Sequence, residues 1–267
     1  AKAPAFSRDT GGPAASLLVC RLSMAQFKLI LEYEGTAYHG WQIQPGLLTV
    51  QGLLQDTLAQ IVGAPVQVMG AGRTDAGVHA LGQVASFRAE TRLDPVTLRR
   101  ALNASLPRDI VVRCAEEAPP GFDARRSAQS KMYRYSILCR DHPSAFLGRH
   151  SLYVPHSLEF AAMARAAEHV IGTHDFSAFR AGTCAAATPV RTVHQASWRQ
   201  EGDLWHFEIT ANAFLQHMVR ILVGTLLEVG RGKHPPSHVA DVLVARDRRR
   251  AGKTAPPHGL CLVEVHY

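Results

Sequence analysis

The residues best suited to chemistry lie in one glycine-rich run, Gly70 to Ala80. Its glycines let the backbone turn tightly and let a substrate approach closely. Arg73 and Asp75 are two positions apart, so in an extended chain their side chains project from the same side. A carboxylate beside a guanidinium stays ionised at neutral pH and is available as a nucleophile. The same residues also suit a tight turn with an aspartate cap and a surface ion pair, and the residue types alone do not separate these two interpretations.

The elements that must position this run follow a regular order in the first half of the chain. Phe27, Leu29, Leu31 and Tyr33 alternate with more polar residues, which predicts a strand. A helix is predicted after Thr49, with Gly63 and Pro65 ending it, and Asp94-Pro95 is typical of the start of a second helix reaching about Asn103. Further strands are predicted at residues 66–69, 83–87 and 110–114.

The second half repeats this order of strand, helix, strand, strand, helix, strand. The apolar patterns predict strands at 131–139, 192–199, 204–210 and 260–265, a helix opened by Ser157 and closed by Gly172, and helices at 214–229 and 237–245. Two such units predict an α+β fold, with two tandem ferredoxin-like (βαββαβ) halves whose mainly antiparallel sheets flank a central catalytic cleft.

Three segments are expected along the chain. Residues 1–25 are predicted to be a disordered or spurious N-terminal extension, since the first 23 residues lack an apolar period and Met24 suits a natural start. Residues 26–122 should form an N-terminal α+β domain carrying the Asp75 loop, and residues 123–267 a C-terminal α+β domain. Pro119-Pro120-Gly121 interrupts the pattern at this junction.

Composition narrows the class of partner. The 29 basic and 22 acidic residues give a net charge of +7, which suits either solubility or a polyanion such as nucleic acid. The basic residues between Arg246 and Lys253 either form a solvated surface or bind nucleic-acid phosphates. No apolar run approaches the roughly 18 residues that a membrane span needs. Scattered cysteines without a CxxC pair indicate reduced thiols in a cytoplasmic protein, and the histidines form no metal motif.

Several motifs together resemble one enzyme family. The run from Gly72 to His79, Gly-Arg-Thr-Asp-Ala-Gly-Val-His, resembles the signature of the pseudouridine synthases that modify the tRNA anticodon arm. The resemblance extends, in order, over about residues 26–267 through the segments Tyr33 to Gln42, Ala124-Arg125, Tyr133 to Tyr135, Asp175 to Arg180, Ala211 to Arg220 and Gly259 to Tyr267. It departs at Ile221, where the family usually has asparagine.

This resemblance implies an isomerase that converts uridine to pseudouridine at positions 38 to 40 of tRNA, without metal or cofactor, as a homodimer. Asp75 would be the catalytic nucleophile, attacking either C6 of the base or C1′ of the ribose. Arg73 would fill the space left by the flipped nucleotide and pair with Asp75. Tyr133 would pack on the uracil and relay the C5 proton, and Arg220 would hold Asp75 or a phosphate. Arg73, Tyr133 and Arg220 would thus also bind the substrate.

Two other classes fit part of the pattern. A tandem RRM-like RNA-binding module shares the element order, but residues 110–114 lack the aromatic run that RRMs carry on a central strand. A glycosidase acting on a nucleoside would need a second carboxylate near Asp75. Neither Asp56, on a predicted helix, nor Glu90, in a predicted loop, is an obvious partner.

Overall fold

One hydrogen-bonded sheet runs through residues 24–267, the part of the chain that the computed structural model describes. Its ten strands are β1 (Met24–Tyr33), β2 (Met69–Gly70), β3 (His79–Glu90), β4 (Ile110–Glu117), β5 (Ser130–Cys139), β6 (Leu152–Val154), β7 (Gly172–Asp175), β8 (Val190–Glu201), β9 (Leu204–Ala211) and β10 (Leu260–His266). Across the sheet they lie in the order β4-β1-β3-β10-β5-β9-β8-β7, with β2 beside β3 and β6 beside β5.

Five helices accompany these strands within the same residues. They are α1 (Val50–Val62), α2 (Pro95–Ser105), α3 (Phe160–Glu168), α4 (Met218–Gly230) and α5 (His238–Ala245). The first half has the strand order β4-β1-β3-β2, and the second half has the equivalent order β10-β5-β9-β8. The predicted α+β class with mainly antiparallel pairing is confirmed, and the repeated order is consistent with two ferredoxin-like halves.

The two halves join where β10 runs parallel to β3. Cys261 lies opposite His79, and Leu262 lies opposite Ala80. A Cβ atom on Gly82 would lie only 2.3 Å from the Val263 carbonyl oxygen, so this close approach requires glycine. The halves therefore share one continuous sheet, which brings the loop between β2 and β3 next to β5 and α4 of the second half.

β1 shows how the apolar period sets the buried face. Phe27, Leu29, Leu31 and Tyr33 are buried, as their alternation predicts. The strand begins earlier than expected, because Met24 and Ala25 pair with Glu90 and Ala89 of β3. These two residues therefore belong to the sheet and not to an N-terminal extension, whereas the rest of the predicted extension lies outside the described residues.

The first two helices begin where their capping residues predict. The Thr49 hydroxyl accepts a hydrogen bond from the Gly52 amide, and Gly63 ends α1 in the left-handed conformation with φ of 78°. The Asp94 carboxylate accepts from the amides of Val96 and Thr97 at the start of α2. Both helices thus follow from local sequence.

The elements of the second half differ more from their predicted bounds. α3 starts at Phe160 without a cap from Ser157 and ends at Glu168, so Gly172 opens β7 instead of closing the helix. α4 starts at Met218, four residues later than predicted, because His217 has a φ of 63° that no helical residue can adopt. In the first half, β2 lies later in the chain than predicted, at Met69–Gly70, and β3 is longer than predicted, since it extends over the whole of His79–Glu90. Within the described residues, no helix is long and apolar enough to cross a membrane.

Candidate active site

The Asp75 loop, residues 71–78 between β2 and β3, is anchored to the sheet by hydrogen bonds. The Thr74 side chain is buried, and its hydroxyl lies 2.8 Å from the Tyr33 hydroxyl at the end of β1. Gln83 of β3 donates from its amide to the Gly72 carbonyl at 2.8 Å and to the Tyr33 hydroxyl at 3.4 Å. Because both residues on either side of Arg73 are anchored, the path of the loop toward Asp75 is fixed by strands β1 and β3.

A second loop holds the same backbone from the side. The Trp41 amide donates to the Thr74 carbonyl at 3.1 Å. Gly40 precedes it with a φ of 86°, and a Cβ atom at that position would lie 2.5 Å from the Thr74 carbonyl oxygen. Trp41 itself is buried in the core. The loop between β1 and α1 thus needs glycine to reach the Asp75 loop.

Asp75 is paired from the other half of the chain. Arg220 Nη1 of α4 donates to Asp75 Oδ2 at 3.0 Å, while Arg220 Nε donates to the Ala255 carbonyl at 2.8 Å. His217 Nε2 lies 3.5 Å from the same carboxylate oxygen. The side chains of Asp75 and Arg220 are 24% and 13% exposed. A partly enclosed carboxylate with one edge toward solvent is therefore oriented by a guanidinium that is itself fixed.

The start of α4 explains how these partners arrive. Residues 214–217 turn before the helix, and His217 takes up the left-handed conformation at its N-terminal boundary. A histidine in this conformation is uncommon and strained, and such residues often lie at functional sites. His217 and Arg220 are three positions apart, so they occupy neighbouring places at the end of the helix and both reach Asp75.

Arg73 does not make the predicted ion pair. Among residues 24–267, its exposed side chain has no hydrogen bond or salt bridge, and Asp75 pairs with Arg220 instead. The expectation that Arg73 and Asp75 project together assumed an extended chain. Thr74 instead turns into the sheet to bond with Tyr33, and Asp75 is drawn across to α4. Arg73 is left free to contact a ligand.

Tyr133 lies close to the Asp75 loop on β5. Its hydroxyl is 3.9 Å from the point where a Cβ atom on Gly72 would lie, and its ring meets Phe214 edge-on with centroids 5.0 Å apart. Burial raises the pKa of the Tyr133 phenol, and the neighbouring Tyr33 and the Asp75 carboxylate raise it further. The phenol is therefore neutral at physiological pH. The structure thus brings Tyr133, Arg220 and Asp75 together.

Some residues of this site were not singled out by sequence reasoning. Lys131 is on the same face of β5 as Tyr133, and a signal for it was available in that two-residue spacing. His217 lies within a quoted motif, but its approach to Asp75 depends on a left-handed backbone that its residue type does not reveal. Tyr33 and Gln83 read as ordinary strand residues, and only the fold shows that they bind Thr74 and Gly72.

One group among the described residues has the spacing of metal ligands. Atoms of Glu34, His79 and His150 lie within 4.8 Å of one another. His79 Nδ1, however, accepts from the Gly35 amide at 2.9 Å, so Nε2 carries the proton and faces the carbonyl oxygens of Arg149 and His258. Both ring nitrogens of His79 are committed, so the residues present do not fit a metal ion, and His79 serves instead to tie three segments together.

Other features lie apart from Asp75. A cavity of about 350 Å³ borders His79 and Arg134 but is not lined by Asp75, Tyr133 or Arg220. The basic run after α5 is partly neutralised, since Arg246 pairs with Asp175 and Arg249 with Asp247. The two carboxylates considered for a glycosidase, Asp56 on α1 and Glu90 at the end of β3, are exposed.

Comparison with known proteins agrees with this geometry. A family model described as tRNA pseudouridine synthase matches residues 29–125 and 166–267. The tRNA pseudouridine synthase A of Geotalea uraniireducens is 47% identical over 244 residues, covering 91% of this chain and 100% of that protein. The proteins of the same name from Acetivibrio thermocellus and Geobacter sulfurreducens are 46% and 45% identical, again over 91% of this chain and 100% of theirs. The chain belongs to the tRNA pseudouridine synthase family.

Proposed function

We propose that this protein isomerises uridine to pseudouridine at positions 38, 39 and 40 of the tRNA anticodon stem-loop, with Asp75 as the nucleophile. The observation that carries the proposal is the ion pair of Asp75 with Arg220, which fixes a solvent-accessible carboxylate between the two halves of a chain of this family. The net charge of +7 suits a polyanionic substrate.

The proposed reaction moves one glycosidic bond without oxidation or reduction. The target uridine flips out of its stack, because a stacked base cannot be reached. A carboxylate oxygen of Asp75 forms a C–O bond to C6 of the base or to C1′ of the ribose, and the bond between N1 and C1′ breaks. The uracil rotates, C5 bonds to C1′, and the C–O bond to Asp75 breaks. C5 loses a proton and N1 gains one, so the product is an isomer of the substrate.

The neighbouring side chains are assigned supporting roles. Arg220 holds the Asp75 carboxylate in place and balances its charge. Arg73, without a partner among the described residues, enters the space that the flipped nucleotide leaves. Tyr133 packs against the uracil. The raised pKa of Tyr133 favours the neutral phenol, which suits packing and hydrogen-bond donation, and disfavours the phenolate that would be needed to take a proton from C5.

We also propose that the protein acts as a homodimer in the cytoplasm, without a cofactor. Phe146 is 92% exposed, and Val244 is also highly exposed, so contact with a second copy that covered either side chain would be favourable. The thiols of Cys114, Cys139, Cys184 and Cys261 are free, which suits a reducing compartment. Size-exclusion chromatography with light scattering tests the dimer directly.

An RNA-binding module without catalysis is the alternative. The element order of such a module matches the fold. A binding module, however, has no use for the Asp75 carboxylate, which Arg220 orients in a loop whose conformation depends on Gly40 and Thr74. The two functions differ in a simple measurement, since only the enzyme changes the uridines of its substrate.

The deciding experiment is Asp75→Asn with pseudouridine mapping of tRNA. The variant keeps the shape of the side chain but not its charge, so turnover should fall to background while the melting temperature and tRNA affinity stay close to those of the wild type. Asp203→Asn is the matched control, because Asp203 is an exposed carboxylate of the β8–β9 turn whose ion-pair partner, among the residues that the structure describes, is Arg140 alone. Asp75→Asn turnover above about a hundredth of the wild-type value would contradict the nucleophile role, because losing even one acid–base group typically costs 10²–10⁴-fold.

A further inference from the structure

One lysine of the site is buried without a counterion. Lys131 of β5 is only 9% exposed, and among residues 24–267 it forms no salt bridge and no side-chain hydrogen bond. Burial lowers the pKa of the Lys131 ammonium, and the nearby Arg125 cation lowers it further. Lys28, by contrast, meets Glu116 at 2.9 Å. A buried ammonium without a partner destabilises a fold, so its presence calls for a purpose other than packing.

The position of Lys131 relates it to the nucleophile. Its Cδ and Cε atoms lie 3.5 Å and 3.3 Å from the point where a Cβ atom on Gly72 would be, and the Tyr133 hydroxyl lies 3.9 Å from the same point. Gly72 thus leaves room for the lysine stem beneath the loop that carries Asp75. Lys131 and Tyr133 are two residues apart on one strand, so they face the same side of the sheet.

The surroundings of Lys131 favour an anion. Arg125 acts on it as a like charge, and neither Arg125 nor Arg73 has an ion-pair partner in the described part of the chain. Asp75, the carboxylate of this loop, is already paired with Arg220. An RNA strand that entered the site would exclude water, and an unneutralised ammonium would then become more costly. A phosphate removes that cost, whereas a neutral oxygen of the base does not.

We propose that Lys131 binds a backbone phosphate of the nucleotide that enters the site, with Arg125 as a second cation toward the same phosphodiester. This inference rests on the proposed action on tRNA and adds a binding residue to it. An ammonium is a compact charge that contacts a phosphate without needing the planar geometry of a guanidinium. Lys131 is thereby a substrate-binding residue that lies against Gly72, in the loop that carries Asp75.

Lys131→Met separates the charge from the packing, since methionine fills similar space without an ammonium. Binding is measured by filter retention of tRNA in an Asp75→Asn background, so that chemistry does not alter occupancy. We expect a loss of affinity of about 10- to 100-fold, and a fall of about one in the slope of log K against log salt concentration. Lys28→Met is the matched control and should change neither quantity, because Lys28 is neutralised by Glu116 on another strand.

Stability separates this binding role from a structural one. Removing an unpaired buried charge should leave the melting temperature of Lys131→Met equal to or above that of the parent, although RNA binding is weaker. Lys131→Arg should recover part of the affinity because it restores the charge. A Lys131→Met variant that melts at a lower temperature and binds tRNA with the parental salt slope overturns the inference.

The phosphate itself is identified with modified RNA. A neutral methylphosphonate is placed singly at each linkage flanking the target uridine in a tRNA anticodon arm. At one linkage, the loss of affinity should match that of Lys131→Met, and combining the two changes should add little further loss. Full additivity at every linkage overturns the Lys131 assignment alone, provided that the wild type forms pseudouridine. A wild type that binds no tRNA overturns this inference together with the proposed function.

Discussion

Arg220 Nη1 lies 3.0 Å from Asp75 Oδ2, although the two residues are 145 positions apart in the chain. The same guanidinium donates through Nε to the Ala255 carbonyl at 2.8 Å. One edge of the planar group is therefore held by the second half of the chain, and the other edge presents a donor to the first half. This contact sets the orientation of Asp75, the proposed nucleophile, and depends on the relative placement of the two halves.

Arg220→Lys is expected to reduce turnover about 10- to 100-fold. An ammonium keeps the charge but cannot contact Asp75 and the Ala255 carbonyl in the fixed geometry of a guanidinium. A hydrogen bond to a charged group contributes about 1.5–3 kcal/mol, which corresponds to this range of rates. Single-turnover pseudouridine formation and tRNA affinity, measured together, should show a fall in rate with binding largely retained.

Arg134→Lys provides the control for the Arg220 substitution. Arg134 forms a pair of similar length with Glu208, at 2.8 Å, and its side chain faces the opposite side of β5 from Tyr133. Its replacement should leave turnover within about twofold of the wild type, because this partly buried pair makes no contact with Asp75. Equal losses of rate in the two variants would mean that the Asp75 contact has no special role.

Tyr33→Phe is expected to lower turnover about tenfold through the Asp75 loop. The substitution removes only the hydroxyl that meets Thr74, so the packed ring remains and the change acts on the position of the residue before Asp75. Small displacements of a reacting group can cost up to about 10²-fold in rate. The melting temperature should fall modestly, because one buried hydrogen bond contributes about 1 kcal/mol.

A double-mutant cycle tests whether Tyr33 acts through Thr74. Thr74→Val removes the partner hydroxyl with little change of shape, and the double variant should lose less activity than the product of the two single effects. kcat should carry the change while KM for tRNA stays nearly constant. Independent effects in the cycle would show that the hydrogen bond does not position Asp75.

Local sequence determined the fold more fully in the first half than in the second. Thr49, Gly63 and Asp94 fix helix ends through their own side chains or backbone conformation, so α1 and α2 could be predicted. The start of α4 depends on the left-handed backbone at His217, which is stabilised by tertiary contacts and not by residue type. The joining of β3 to β10 is likewise a tertiary event, for which Gly82 gave only a weak signal.

The candidate site, like the fold, could be predicted from the sequence only in part. The family resemblance identified Asp75, Tyr133 and Arg220 as site residues. The fold brings these three residues together. The expected contact between Arg73 and Asp75 came from their spacing and from the resemblance, and neither could show that Thr74 turns toward Tyr33. The two-residue spacing places Lys131 on the same face of β5 as Tyr133, but a lysine in a strand is usually exposed, and only the fold shows that Gly72 lies over it.

Gly40→Ala should impair the Asp75 loop more than backbone strain explains. Gly40 and Gly46 both have left-handed backbones, with φ of 86° and 72°, so alanine strains both positions to a similar degree. A methyl group at Gly40 would also lie 2.5 Å from the Thr74 carbonyl, whereas at Gly46 it meets nothing within 4 Å. Turnover should therefore fall at least tenfold more in Gly40→Ala than in Gly46→Ala. Similar activities in the two variants would show that the loop tolerates the displacement.

His79 should make the folded state sensitive to acid. Burial lowers the pKa of His79 from 6.5, and the nearby His150 lowers it further. Below pH 6.5, an unfolded chain takes up a proton at this position while the folded protein does not, so the free energy of unfolding falls as the pH falls, by at most about 1.4 kcal/mol per pH unit from this residue. Above pH 6.5 the residue contributes no slope. His79→Gln retains a donor and an acceptor for the contacts with Gly35 and the facing carbonyls. Urea unfolding at pH 7.5, 6.5 and 5.5 should therefore show that the free energy of unfolding falls less steeply below pH 6.5 in the variant than in the wild type. If the free energies of the two proteins fall in parallel, His79 is protonated in the folded protein as readily as in the unfolded chain.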